Sequence, residues 1–277
     1  MSAYKFSKIV KSILIYSALI LAVILSIFPI VYLLVTSFKP PELTFEPSQW
    51  IFRPTLKNYQ DVFAGGTFIR YFLNSSIIAL TTTFFALILG SFAGYGFARF
   101  RFRGSLWMRL GSLVPQMLPP ITIIVPLYVL FNSISLIDSR WALVISYLTF
   151  SVPLAIWMMT GFFLDLHPEL EESAMIDGCS RFEALIRINL PLVAPGLAAT
   201  AILCFLYCWN EFLYAVILTG RDSRTLPVTI TSFMTNKAIL WGRIAAAGSL
   251  VLVPVLIFAL LAQRWLVRGL SRGAIKG

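Results

Sequence analysis

The ionisable residue that stands out most is Glu211, which interrupts an otherwise uncharged, apolar stretch directly after Asn210. If this stretch crosses a membrane, a charge near the bilayer centre costs about 2.5–3.5 kcal/mol, so the carboxylate should face protein or water. Two interpretations remain open. Asn210 and Glu211 could line a path across the membrane and bind polar groups such as hydroxyls, or Glu211 could pair with a neighbouring side chain or with water.

A second concentration of ionisable residues lies at 165–196, between two long apolar runs. Pro168 and the glutamates that follow it favour the start of a short helix, because proline suits the first helical position and acidic groups complement the helix dipole. We expect this helix to run to about Ile176. Asp177 and Gly178 should end it, with Gly178 free to adopt the positive φ common at helix C-termini.

The residues that follow predict a second short helix. Ser180 and Glu183 have the S-x-x-E spacing of a capping box, in which each side chain satisfies a backbone N–H near the other residue. Apolar residues then recur at the spacing of one helix face, and Leu190 with Pro191 is expected to end the helix. Two short helices joined by a tight elbow form a rigid unit, which we call the 165–196 hairpin.

Metal and nucleophile chemistry find little support in the sequence. Three cysteines and the single His167 provide too few ligands for a conventional zinc site, so no metal or other cofactor is expected. A membrane enzyme would need a nucleophile with its base, or a metal cluster, and His167 better suits a capping or surface role. No P-loop pattern occurs, so the chain is not expected to bind ATP itself.

The composition excludes an ordinary soluble protein. Of the 277 residues, 58% are hydrophobic and only 12% are charged, with a mean hydropathy of +0.85. Soluble domains carry about 25% charged residues. The net charge of +10 does not indicate a nucleic-acid partner, because the basic residues are spread along connecting segments and form no dense patch or recognition motif.

The apolar runs predict membrane-spanning helices, each of which needs roughly 20 apolar residues. Six charge-free runs are long enough, at 12–38, 71–98, 110–137, 141–164, 188–210 and 244–263. The fifth run is expected to continue past Glu211 toward Leu218. The predicted fold class is therefore all-α, a polytopic membrane protein with six transmembrane helices and the 165–196 hairpin.

The distribution of basic residues predicts the orientation. Lys5, Lys8 and Lys11 precede the first run, and further arginines follow the second run and fill the C-terminal segment. By the positive-inside rule both termini lie in the cytoplasm. Six crossings return the chain to the side on which it starts. The 165–196 hairpin follows the fourth span, so we expect it to be cytoplasmic as well. The first run is too long for a signal peptide, so we expect it to be retained.

Two features of the spans concern helix packing. Gly90 and Gly94 form a small-xxx-small pattern, which suits close contact with another helix. Prolines interrupt the third run repeatedly, and Pro153 interrupts the fourth. Such prolines kink helices, and a cluster of kinks also suits a helix that bends during gating.

The hairpin sequence resembles the EAA motif of bacterial ABC importer permeases. The residues that match are Glu172, Ser173, Ala174, Asp177, Gly178, Leu190 and Pro191. The family has alanine at the position of Ser173, so serine replaces the middle residue of the motif with another small residue. In that family the motif forms a coupling helix seated in a cleft of the ATP-hydrolysing subunit. The resemblance therefore implies that these residues couple the chain to an ATPase.

The resemblance extends over nearly the whole chain. The sequence from Val267 to Gly277 is similar to the terminal signature of the maltose-permease G-subunit branch, which imports carbohydrates. In that branch the tail reaches between two ATPase subunits. This implies ATPase contacts from Gly269, Gly273, Lys276 and Gly277. Arg272 departs from the pattern, because a small residue is usual at that position.

The resemblance also implies a domain division and a set of partners. Residues 1–70 would form an N-terminal helix and the first extracytoplasmic loop, 71–266 the transmembrane domain, and 267–277 a cytoplasmic tail. The chain would be a non-catalytic, pore-forming subunit in the bacterial inner membrane, surrounded by lipid. Its partners would be a second permease subunit in a heterodimer, a dimer of ATP-binding subunits that hydrolyses ATP, and an extracytoplasmic solute-binding protein.

Other functions remain as alternatives. A secondary transporter driven by an ion gradient would be expected to show paired intramembrane acids or discontinuous helices in repeated halves, whereas this sequence has one buried acid and no evident internal repeat. For an importer, the solute could be a sugar, an oligosaccharide or a glycerol phosphate ester. The lack of Lys or Arg inside the spans favours a neutral sugar.

Overall fold

A computed structural model describes the backbone of residues 2–100, 102–234 and 239–273, and the side chains of 8–100, 102–234 and 239–261. Within these ranges the regular structure is helical, and an isolated antiparallel bridge pairs Met234 with Ile239. The expectation of an all-α protein is confirmed.

The helices follow one another along the whole described chain. They are α1 (Ser2–Ser37), a 3₁₀ turn (Pro41–Leu43), α2 (Lys57–Phe63), α3 (Thr67–Arg99), α4 (Ser105–Gly111), α5 (Val114–Met117), α6 (Pro120–Ser133), α7 (Arg140–Leu164), α8 (Glu169–Ile176), α9 (Arg181–Ala184), a π-helical segment (Leu185–Asn189), α10 (Leu190–Leu192), α11 (Ala194–Trp209), α12 (Leu213–Leu218), α13 (Leu226–Thr231) and α14 (Trp241–Gly273).

Four helices are long and apolar enough to cross a membrane by themselves. They span Lys8–Ser37, Thr67–Arg99, Arg140–Leu164 and Trp241–Leu261. Two further candidates are bent pairs: Ser105–Met117 with Pro120–Ser133, at 88°, and Arg181–Leu192 with Ala194–Trp209, at 77°. The prediction of six spans agrees with the structure if each bent pair counts as one span. Of the prolines expected to kink the third run, Pro119 and Pro120 lie at its bend, whereas Pro115 and Pro126 lie within α5 and α6.

The chain forms two compact units. One unit comprises residues 1–66 and 230–252, and the other comprises 67–229 with the chain from 253 onward. In the first unit the side-chain amide of Asn58 is buried and donates to the carbonyl oxygens of Ser37 (2.9 Å) and Lys39 (2.7 Å). Arg243 also pairs with Asp61 at 2.8 Å. These bonds fix the end of α1 against α2, and α2 against the start of α14.

The second unit is organised around the crossing of α3 and α7. A Cβ atom added to Gly94 would lie 2.9 Å from both the Cβ of Met159 and the backbone nitrogen of Thr160. Gly90 meets Ala155 in the same way, with the Ala155 carbonyl carbon 2.9 Å from its ideal Cβ position. The predicted close-packing face of Gly90 and Gly94 is therefore confirmed, and α7 is the helix that it meets.

Helix resumes past Glu211 and reaches Leu218, as expected for the fifth span, but it is interrupted at Glu211. Helix α11 ends at Trp209, residues Asn210–Phe212 are not helical, and α12 begins at Leu213. The carboxylate of Glu211 accepts hydrogen bonds from the N–H groups of Tyr214 (2.9 Å) and Ala215 (3.2 Å). An acidic side chain that caps a new helix N-terminus competes with continuation of the old helix.

Candidate functional site

The first arm of the 165–196 hairpin is α8, which ends as the sequence predicts. Gly178 adopts a φ of +94° directly after the helix. Its N–H donates to the Met175 carbonyl (3.1 Å), and the N–H of Cys179 donates to the Ala174 carbonyl (3.0 Å). This pair of bonds is a Schellman motif, which satisfies the last carbonyls of a helix and requires a left-handed residue. The elbow therefore depends on Gly178.

The second arm begins at the predicted capping box. The Ser180 hydroxyl accepts the N–H of Glu183 (3.3 Å), and the Glu183 carboxylate accepts the N–H of Ser180 (2.9 Å). The Ser180 hydroxyl also donates to the Glu183 carboxylate (2.9 Å), and the guanidinium of Arg187 lies 3.5 Å from it. The box therefore holds the elbow from its far side.

The second arm ends at Leu192, one residue beyond the predicted end at Leu190 and Pro191. The backbone widens into a π-helical segment at Leu185–Asn189, helix α10 then carries the chain through Pro191, and the bend follows at Val193. Proline lacks an N–H and its ring clashes with the carbonyl four residues earlier in an α-helix. The π-helical turn shifts the preceding carbonyls, which lets the helix continue through the proline.

The motif residues of α8 lie on different faces. Glu172, Ser173 and Asp177 are exposed, and with them Ile176, whose side chain is 86% exposed. Ala174 is buried on the opposite face of α8, where it packs against the rest of the protein. Gly178 is also exposed, at the elbow. Glu172, Ser173, Ile176 and Asp177 therefore lie together on the exposed side of the first arm.

The hairpin also contains a residue that the sequence did not single out, Glu171. The residue is 3% exposed, and its carboxylate accepts hydrogen bonds from Arg99 Nε and Asn189 Nδ2, both at 3.0 Å, and from the Tyr95 hydroxyl. The motif directs attention to the neighbouring Glu172. The signal available in the sequence was the helical spacing that places Glu171 and Ala174 on one face.

A cavity of about 340 Å³ lies beside the break between α11 and α12 in the second unit. Glu211 and Tyr214 line it on one side, and Gln116, Thr149 and Tyr207 add further polar groups. Non-helical backbone at membrane depth is tolerated where it lines a cavity. Glu211 therefore accepts backbone N–H groups of α12 and also faces this cavity.

Asn210 is placed differently from Glu211. Its side-chain nitrogen donates to the carbonyl of Leu206, one turn earlier in its own helix, at 2.8 Å, and the residue is exposed. Asn210 is not among the residues that line the cavity. The structure thus separates the two neighbours.

A polar clasp joins the loop after α6 to the segment after α12. The carboxylate of Asp138 accepts the backbone N–H groups of Gly220 (2.8 Å), Arg221 (3.0 Å), Asp222 (3.1 Å) and Ser223 (2.9 Å), and the Ser223 hydroxyl (2.8 Å). Burial by itself would raise the pKa of the Asp138 carboxyl, but the hydrogen bonds outweigh it and lower the pKa to about 2.

The sequence matches the family model of binding-protein-dependent transport system inner membrane components over residues 86–272. That match covers more than half of the chain. The chain belongs to this family.

Among curated relatives of this transport component is the trehalose/maltose transport system permease protein MalG of Thermococcus litoralis. It is 36% identical over 275 residues, which cover 98% of this chain and 99% of the relative. The diacetylchitobiose uptake system permease protein DasC of Streptomyces coelicolor is 34% identical and covers 91% of this chain and 92% of its own. The trehalose transport system permease protein SugB of Mycobacterium tuberculosis is also 34% identical, over 91% and 93%.

Solved structures share the fold of this transport component. A chain of a bacterial ABC transporter involved in the import of the acidic polysaccharide alginate superposes with a TM-score of 0.73 at 19% identity, covering 93% of this chain and 97% of that one. A second structure, of a bacterial alginate ABC transporter in complex with an alginate pentasaccharide-bound periplasmic protein, gives a TM-score of 0.69 at 18% identity, over 92% and 94%. These likenesses confirm the fold of a multi-pass membrane permease.

The remaining predicted site residues of this permease lie at its C-terminus. Gly269 and Gly273 belong to α14, of which only the backbone is described there, and Lys276 and Gly277 lie outside the described residues. Among the residues that the structure describes, no group of three His, Cys, Asp or Glu side chains could hold a metal ion.

Proposed function

We propose that this chain is a pore-forming subunit of an ABC importer and that the 165–196 hairpin couples it to a separate ATPase. The observation that carries the proposal is the hairpin itself. Glu172, Ser173, Ile176 and Asp177 form an exposed surface on a helix whose other face is buried and hydrogen-bonded. A rigid hairpin with an exposed contact face can transmit movement from a bound partner to the spans. The chain belongs to a family of transport components, in which such a partner is expected.

The other motif residues have supporting roles in this proposal. Ala174 packs inward beneath the contact face, and Gly178 sets the elbow that presents it. Leu190 and Pro191 carry the second arm to the bend at Val193. The hairpin and both termini would lie in the cytoplasm, where Gly269, Gly273, Lys276 and Gly277 would reach the ATPase dimer.

The partners follow from this arrangement. A second permease subunit would complete the pore, two ATP-binding subunits would supply the hydrolysis that this chain does not, and an extracytoplasmic protein would deliver the solute. ATP shifts the conformational equilibrium only because it binds one state more tightly than the other. Closure of the ATPase dimer would move the hairpin and, with it, the spans. Exposed apolar side chains along α1 suit contact with lipid.

The proposed solute is a neutral sugar or oligosaccharide. Relatives over more than 90% of the chain are named for trehalose, maltose and diacetylchitobiose transport. The cavity is lined by the Glu211 carboxylate, aromatic rings, an amide and hydroxyl groups, with no Lys or Arg among its lining residues. Aromatic faces and uncharged polar groups suit a sugar ring and its hydroxyls, whereas a glycerol phosphate ester would favour a cationic lining.

Gentle purification from the native membrane tests this function. The chain should co-purify with a second permease and an ATP-binding subunit, which mass spectrometry identifies. In Gly178→Pro the ATP-binding subunit should be lost, because proline fixes φ near −65° and has no N–H, whereas Gly178 has a φ of +94° and donates to Met175.

Gly66→Pro is the matched control. Gly66 also has a positive φ, of 64°, and its N–H donates to the Phe63 carbonyl at 3.0 Å, but it lies outside the hairpin. The ATP-binding subunit should stay bound in this variant. Retention of the ATPase in Gly178→Pro, or its equal loss in both variants, would contradict the coupling role of the hairpin. A chain that purifies alone and moves solute without ATP would contradict the importer as a whole.

A further inference from the structure

Two adjacent glutamates on α8 have opposite surroundings. Glu172 is exposed on the contact face, whereas Glu171 is 3% exposed and points into the protein. Burial of a carboxylate is unfavourable unless it is paired and hydrogen-bonded. A buried acid beside the contact face of the hairpin therefore calls for a physical explanation.

The surroundings of Glu171 consist of hydrogen-bond donors. Oε2 accepts Arg99 Nε and Asn189 Nδ2, each at 3.0 Å, and Oε1 accepts the Tyr95 hydroxyl. The Arg99 and Glu171 side chains are 9% and 4% exposed, so this ion pair is largely removed from water. A charged pair in this setting is held in one geometry, because loss of either partner leaves a buried charge unpaired.

The four side chains come from three separate segments of the second unit. Tyr95 and Arg99 lie one turn apart at the C-terminal end of α3, Glu171 lies in the first arm of the hairpin, and Asn189 lies in the second arm. Arg99 also donates to the Leu166 carbonyl at 3.2 Å, just before the hairpin's first helix. A single carboxylate thus fastens both arms of the hairpin to the end of α3. We call this cluster the Glu171 joint.

Apolar packing surrounds the Glu171 joint on the side away from the contact face. Tyr95 packs with Met159, Phe163, Leu185 and Val193 in one buried cluster. The rings of Tyr95 and Phe163 meet edge to face, with centroids 5.7 Å apart. Closely packed interiors are stiff and transmit displacement. From this end α3 continues to Gly94 and Gly90, where it is in close contact with α7.

We propose that Glu171 is a positioning residue that transmits motion of the hairpin to α3, through its bonds to Tyr95, Arg99 and Asn189. Glu172 and its exposed neighbours hold the ATPase, and Glu171 makes the movement of that contact a movement of the spans. The inference rests on the proposed coupling function and divides it between two adjacent residues. Loss of Glu171 should uncouple the pore from a bound, active ATPase, whereas loss of Glu172 should weaken the binding of the ATPase.

The test compares Glu171→Gln with Glu172→Gln in the complex purified from its native membrane. Tyr207 lines the cavity and is 62% exposed, so a cysteine at this position reports on the spans. The background carries Cys179→Ser, since Cys204 and Cys208 are buried. Three quantities are measured: the amount of ATP-binding subunit recovered, its ATP hydrolysis, and the rate at which N-ethylmaleimide alkylates Tyr207→Cys with and without Mg-ATP and vanadate.

The parent chain should bind the ATPase and show an alkylation rate that depends on nucleotide. Glu171→Gln should keep the ATPase and its hydrolysis but lose the nucleotide dependence, because an amide NH₂ replaces one acceptor oxygen and faces donors. Glu172→Gln should recover less ATPase and keep the nucleotide dependence in the complexes that do form. Tyr95→Phe, which removes one donor and keeps the ring, should reduce the nucleotide dependence while leaving ATPase recovery unchanged.

Three results would overturn the inference. A nucleotide response in Glu171→Gln and Tyr95→Phe equal to that of the parent would show that the joint transmits nothing. Loss of the ATPase in Glu171→Gln to the same extent as in Glu172→Gln would make Glu171 a docking or folding residue instead. A parent chain that binds no ATPase or shows no nucleotide response would overturn the proposed function as well, so the two failures are distinguishable.

Discussion

Replacing Asp138 by asparagine is expected to destabilise the second unit measurably, and the magnitude follows from the polar clasp. In the native structure the carboxylate accepts four backbone N–H groups and one hydroxyl from Gly220–Ser223. These bonds lower the pKa of Asp138 from 3.8 to about 2, against the opposing effect of burial. At about 1.4 kcal/mol per pH unit, the difference corresponds to about 2 kcal/mol of stability near neutral pH.

The sign of the pH dependence follows from the direction of this change. Because the pKa is lower in the folded protein than in the unfolded chain, the stabilisation is complete above 3.8 and is lost as the pH falls toward about 2. Asparagine presents an amide NH₂ in place of one acceptor oxygen and does not ionise. The stability difference between Asp138→Asn and the parent should therefore be constant near neutral pH and should narrow below about pH 4.

The assay is thermal unfolding of the purified chain in detergent, near neutral pH and at about pH 3. A loss of about 2 kcal/mol should lower the midpoint by on the order of 4 °C or more near neutral pH. Asp222→Asn is the control. Its side chain is 70% exposed and pairs with Arg70 at 2.6 Å, and exposed pairs contribute at most about 1 kcal/mol. Equal midpoint changes in the two variants, or an Asp138→Asn effect that persists undiminished at about pH 3, would refute this account of the clasp.

Three further predictions follow from the described contacts. Gly94→Leu should lower the unfolding midpoint, at a cost of about 1–3 kcal/mol, because the added Cβ would lie 2.9 Å from Met159. Gly96→Leu is the control, since nothing lies within 4 Å of its Cβ, and its midpoint should not change. Thermal unfolding in detergent measures both. Ser180→Ala removes the hydroxyl of the capping box and should cost about 1 kcal/mol, seen as faster proteolysis of the hairpin, and an unchanged rate would count against the box. Glu211→Gln keeps an acceptor for the cap of α12 and should alter uptake of sugar into proteoliposomes of the whole complex without changing its assembly, whereas Asn210→Ala, which loses only a bond to its own helix, should leave uptake unchanged. Unaltered uptake in Glu211→Gln would remove it from the path.

The local features of this protein were determined by the sequence alone. Apolar runs longer than a bilayer is thick predict spans whatever else surrounds them, and the elbow at Gly178 and the capping box at Ser180 involve residues only a few positions apart. The elbow and the capping box were predictable because every interacting group lies within about one helical turn of its partner, and the spans because composition decides them. Gly90 and Gly94 marked a close contact by size and spacing, but the sequence did not say that α7 makes it.

Only the tertiary structure decided which neighbour of an equivalent pair is buried and where a span breaks. Glu171 and Glu172 are chemically identical and adjacent. Their surroundings differ because α3 packs against one face of α8, where Arg99 pairs with Glu171 across 72 positions of the chain. Asp138 finds its donors more than 80 positions later along the chain. Such contacts depend on which segments meet in three dimensions, and no local spacing records that meeting. The break at Glu211 also depends on such a meeting, because non-helical backbone at membrane depth is tolerated where it lines a cavity, and the lining of this cavity comes from segments as distant as Pro115 and Tyr214.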